Sequence, residues 1–133
     1  MESKDIQILY LAHYAPETGG TPISVGATNR VYSEYHYKVF TVLKELFLKT
    51  VPCRNPSIML DENLSVDYIF SLYNRMPFRN SEIFVSSVAE YHKIPYLGAQ
   101  PNIRALAEDK HLAKMMARYA GVKTPDWKIY NIG

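Results

Sequence analysis

Lys110 and Lys114 stand one helical turn apart directly behind Asp109. An aspartate there is a good helix N-cap, so both ammonium groups fall on one face near a helix start. Tyr32-Ser33-Glu34-Tyr35-His36 sets a carboxylate in the first half of another predicted helix, where it can pair with an ammonium ion. Asn74 and Arg75, with Arg79, follow an apolar run. An arginine fork there can hold a carboxylate or a phosphate through paired hydrogen bonds. For each of these the plainer reading is a solvated surface side chain. His13, His36, His92 and His111 show no metal-ligand spacing with one another or with Cys53. No Ser/His/Asp or Cys/His pattern has a supporting context. Gly19, Gly20 and Gly26 do not form G-x-G-x-x-G or a Walker pattern. The stretch reads as a surface loop rather than a phosphate cradle, and a nicotinamide dinucleotide-binding domain is disfavoured.

The elements that must position these residues alternate. Ile6–Leu11 predicts a first strand, followed by a long loop rich in turn formers. A helix capped by Thr28 or Asn29 runs to about Lys49, with Val39, Val42, Leu43, Leu46 and Phe47 on its buried face. Ser57–Leu60 is a weak second strand and Val66–Leu72 a firmer third. A helix from Asn80 to His92 turns Phe84, Val88 and Tyr91 inward. Ile94–Leu97 gives a fourth strand and Lys128–Ile132 a possible fifth. The last helix carries Leu112, Met115, Met116, Tyr119 and Ala120 on one stripe, so the methionines read as core filling. Gly121 ends it and Pro125 bars its continuation. Strand–helix alternation predicts an α/β fold, a three-layer open parallel sheet with helices on both faces. Ligands of such sheets lie beyond the strand carboxyl ends, here loops 13–28, 61–65, 73–80 and 98–109.

The chain has 133 residues, 47% hydrophobic and 21% charged, which is a globular domain of ordinary size. A net charge of +2 does not argue for nucleic acid or a membrane. The 11 tyrosines do not interleave with a basic patch as nucleic-acid platforms do. One cysteine fits a reducing compartment, no apolar run approaches the ~20 residues that span a bilayer, and no signal-peptide pattern is visible, so a cytoplasmic location is expected.

Ile94-Pro-Tyr-Leu-Gly, then Ala105-Leu-Ala-Glu-Asp-Lys-His-Leu-Ala-Lys114, then Ala120-Gly-Val-Lys-Thr-Pro-Asp-Trp127 resembles the junction between the first two domains of ATP-grasp ligases. The resemblance is nearest to D-alanine–D-alanine ligases and related carboxylate–amine ligases. It implies a Rossmann-like pre-ATP-grasp domain over residues 1–124, with 125–133 beginning a linker or strand into a central domain. It implies ATP and Mg²⁺ as cofactors, bound mainly by domains outside this chain, and an acyl-phosphate route to an amide. Glu34 matches the glutamate that reaches the amino group of a substrate. Asn74 and Arg75 match the substrate-side turn, and Lys110 matches the lysine that reaches an ATP phosphate. Met76-Pro-Phe-Arg79 stands where D-alanine ligases carry G-E-D-G, a departure from their pattern that leaves the substrate open. The resemblance covers nearly the whole chain but only the first third of such an enzyme. It therefore implies a fragment inactive alone, with small carboxylate or amino-acid substrates and homodimer formation. The alternative is a stand-alone α/β binding or dimerisation module.

Overall fold

The computed structural model describes residues 5–17, 21–73 and 81–130. At its centre is a three-stranded parallel sheet in the order β2-β1-β3, built from β1 (Gln7–Leu11), β2 (Lys49–Cys53) and β3 (Tyr68–Ser71). The register sets Leu9 beside Val51 on one side and Ile69 on the other. Among the described residues there are four α-helices: α1 (Arg30–Leu46), α2 (Phe84–His92), α3 (Pro101–Glu108) and α4 (Lys110–Tyr119).

Side chains alternate across a strand, and β1 feeds a core on each face. Leu9 and Leu11 pack with Met59, Ile69, Val85 and Ala89 beneath α2. Tyr10 and Ala12 pack with Phe40 and Leu43 beneath α1. The expected layering, helices on both faces of a parallel sheet, is therefore present. Tyr10 is fully buried, and its hydroxyl donates to the His36 carbonyl at 2.8 Å. That bond ties the central strand to α1.

Among the described residues the strand count is three, against the four or five expected. Ile94–Leu97 pairs with β3 only through an isolated bridge, Tyr96 beside Ile69. Lys128–Tyr130 form no strand, and Asn131 and Ile132 lie outside the described residues. The second strand also falls elsewhere. Residues Pro56–Leu60 make a 3-10 turn, because Pro56 occupies its first position and the Asn55 side chain accepts the Ser57 amide at 3.0 Å. The strand is instead Lys49–Cys53, which begins where the first helix was expected to end. Thr50 closes that helix early, its hydroxyl donating to the carbonyls of Phe47 at 2.7 Å and Leu43 at 3.3 Å. Pro52 is tolerated because β2 lies at the sheet edge.

Two helix faces are rotated from expectation. The buried face of α1 is Ser33, His36, Phe40 and Leu43, while Val42 and Leu46 are 53% and 58% exposed. Ser33 and His36 hold this face inward through hydrogen bonds, which a count of apolar residues does not register. In α2 the inward residues are Val85, Ser86 and Ala89; Phe84 and Val88 are half-buried and Tyr91 is exposed. The expected stripe on α4 is present in the sequence but uncovered. Met115 and Met116 are 48% and 51% exposed, so they do not fill a core.

Asp109 punctuates the last third, ending α3 and capping α4 by accepting the amides of His111 at 2.9 Å and Leu112 at 3.0 Å. Gly121, at φ +77°, closes α4. Its amide bonds Arg118 and that of Val122 bonds Ala117, the paired closure of a left-handed helix end.

Candidate functional site

Glu34 lies on the second turn of α1, half exposed, and its carboxylate accepts Arg30 Nε at 2.8 Å. Both groups are open to water, so the pair contributes little to stability and remains available to a ligand. It borders a cleft of about 390 Å³ whose other wall is the 22–25 segment. Ser33 fixes that wall by donating to the Ile23 carbonyl at 2.7 Å.

Lys110 is the first residue of α4, exposed at the mouth of a separate cleft of about 520 Å³. Glu108, Asp109, His111, Lys128 and Tyr130 line it with Lys110. Lys110 and Lys128 are offset there by Glu108 and Asp109, and Asp109 itself takes up the first free amides of α4. These groups do not make a whole nucleotide pocket. Lys114, the second expected cation, is drawn away, its ammonium 5.4 Å from the centre of the Trp127 ring. Glu34 and Lys110 thus line different clefts, and the structure does not bring them together. Asn74, Arg75 and Arg79 lie outside the described residues.

At the carboxyl ends of β1 and β3 the structure assembles a group that sequence reasoning did not single out. His13 and Tyr73 stack with ring centres 3.7 Å apart. Behind them Tyr14 donates its backbone N–H to His36 Nδ1 at 3.2 Å, and their rings sit 5.5 Å apart. That bond requires Nδ1 to be an acceptor, so the neutral ring carries its proton on Nε2. Burial, aided by the nearby His13, pushes the His36 pKa down from the ordinary imidazole value. Burial, with Cys53 close by, pushes the Tyr73 phenol up. The signal was positional: His13 and Tyr73 each follow one of two adjacent parallel strands, so their loops open on the same end of the sheet. The group offers a stacking shelf and hydrogen bonds, with no nucleophile and base in contact.

Among the described residues, no group of three or more His, Cys, Asp and Glu side chains could hold a metal ion. The described residues therefore do not supply a Mg²⁺ site. No helix among them is long and apolar enough to cross a membrane.

With this geometry in place, the chain can be set beside known proteins. No protein-family model matches it. Over 47 residues it is 38% identical to a D-alanine–D-alanine ligase of Synechococcus sp., a match covering 35% of this chain and 14% of that enzyme. Its fold is similar to the crystal structure of D-alanine–D-alanine ligase from Bacillus anthracis complexed with ATP. The TM-score there is 0.62 with 16% identity, over 93% of this chain and 38% of that one. The class is thus an open parallel α/β domain with an ATP-grasp ligase-like relationship. The particular likeness, in sequence and in fold, is to part of a D-alanine–D-alanine ligase. The chain spans well under half the length of either protein.

Proposed function

We propose that this chain is the first, pre-ATP-grasp domain of an ATP-dependent carboxylate–amine ligase, covering residues 1–124, with 125–133 leading into a central domain. One observation carries the reading: a partial sequence match and a nearly chain-long fold match both lead to D-alanine–D-alanine ligases. In the complete enzyme one substrate's carboxylate takes the terminal phosphoryl group of ATP, releasing ADP and forming an acyl phosphate. The amine of a second substrate then attacks the acyl carbon and expels phosphate. Charge developing on the phosphoryl oxygens is stabilised by fixed cations, and Lys110 is the one this domain supplies. Glu34 holds a substrate ammonium, and Asn74 and Arg75 complete the substrate side. Mg²⁺ and most nucleotide contacts belong to other domains, so this chain alone has no ligase turnover. The single cysteine supports a cytoplasmic setting. Self-association is supported by the uncovered apolar face of α1, where Val31, Tyr35, Val42 and Leu46 are exposed.

The test is a titration of the chain with Mg²⁺-ATP and with a panel of amino acids, followed by amide chemical shifts in the wild type and in Lys110→Ala. Weak, saturable shifts around Lys110 with ATP, lost in the variant, and around Glu34 with amino acids are expected. A tight ligand indifferent to Lys110, or shifts far from both clefts, would favour an independent binding module.

A further inference from the structure

Trp127 is the only tryptophan in the chain, and contacts from both sides converge on it. Its indole N–H donates to His111 Nδ1 at 2.8 Å. The Lys114 ammonium lies 5.4 Å and the Arg118 guanidinium 4.5 Å from its ring centre, one helical turn apart on α4. Arg118 also pairs with Asp126, the residue before the tryptophan. These bonds lay the 122–130 segment along α4, where Lys128 and Tyr130 become part of the Lys110 cleft.

Protonation of one ring sets whether the hydrogen bond at the centre of that arrangement can form. An indole nitrogen is a donor only, so His111 Nδ1 must present its lone pair and the ring must be neutral with its hydrogen on Nε2. A proton on Nδ1 sets two donors head to head. It also adds a positive charge among Lys110, Lys114, Lys128 and Arg118. Opposing acids are present in Glu108, in Asp126, which is held by Arg118, and in Asp109, whose carboxylate is taken up by the His111 and Leu112 amides. Tyr130 is the remaining titratable group of the cleft. The laid-down segment carries a cost of its own, because the Thr124 hydroxyl is buried without a partner among the described residues. That hydroxyl regains a water partner on opening, which lowers the net cost of release.

We propose that His111 and Trp127 form a proton-operated clasp that seats the 122–130 segment on α4 while the imidazole is neutral and releases it when the imidazole is protonated. The clasp stands on contacts within this chain and does not depend on the ligase reading. It makes the shape of the Lys110 cleft a function of pH.

A lone tryptophan gives one indole N–H signal, which makes the test direct. Proton–nitrogen spectra of the whole chain are recorded from about pH 8 to about pH 5, the interval in which histidines change charge. The expected result is a shift of the indole signal and a several-fold loss of its protection from exchange, measured against the exchange rate of a free indole at the same pH. The amides of Thr124, Asp126 and Lys128 should move with the same midpoint as the His111 ring. His111→Asn sets a non-titrating acceptor near the place of Nδ1 and should keep the clasp shut across the range. His111→Ala should leave it open throughout, with the α4 amides reporting that the helix survives. The proposal is overturned if the indole and segment signals stay still while His111 titrates, or if His111→Asn follows the wild-type curve.

Discussion

At the residue scale, Ser33 and His36 lie on the inward face of α1 because each finds a hydrogen-bond partner there. His36 is held neutral inside α1, accepting from Tyr14 through Nδ1 while its own carbonyl takes the Tyr10 hydroxyl. Its pKa is lowered in the fold by burial and by His13. The unfolded chain therefore binds the extra proton more readily. Stability from this group is complete above the unfolded value of about 6.5 and is lost as pH falls below it toward the folded value. We expect the urea midpoint of the wild type to drop between about pH 7.5 and about pH 5 by more than that of His36→Gln. Equal drops in the two proteins would locate the pH dependence elsewhere. This role was not legible from spacing, since a histidine among Tyr35, Tyr37 and Lys38 looks like surface. Asp109 was legible, because capping is a local event needing only an acceptor and the amides just after it.

At the element scale, what could be read were the segments whose ends carry their own chemistry. The α4 boundaries follow from Asp109 and Gly121, and β1 and β3 from their apolar runs. Ser57–Leu60 failed as a strand because a local cap at Asn55 outweighed a short apolar run. The faces of α1 and α2 failed because serine and histidine lie inward once each finds a hydrogen-bond partner. The end of α2 offers a test of local backbone chemistry. Lys93 closes that helix at φ 59°, a left-handed conformation that a Cβ disfavours. Its amide bonds Glu90 and the next one bonds Ala89, so the conformation is required. Lys93→Gly should raise stability by about 1 kcal/mol in urea unfolding. A loss of stability would mean that the lysine side chain contributes more than the backbone strain costs.

At the scale of the whole molecule, apolar surface is distributed unevenly. The sheet has a core on each face, yet the outward sides of α1 and α4 keep large side chains in water. On the self-association reading, the α1 face is the contact between copies, and Val42 lies in its middle. Light scattering should then give a mass about twice 15.3 kDa for the wild type and the single-chain mass for Val42→Asp. A wild-type chain that stays monomeric when concentrated would remove that part of the proposal.

The joint between α3 and α4 has a consequence for how this sequence can change. Asp109 is the only residue between the two helices, and it serves both. One residue inserted or deleted there would turn α4 by about 100° about its axis. Lys110 would leave its cleft and the seat of Trp127 would face another direction. Substitutions along α4 can be tolerated one at a time, but a change of length at this joint moves the whole cleft at once. Related sequences that keep the lysine and the tryptophan should therefore vary in composition across the joint and hold its length constant.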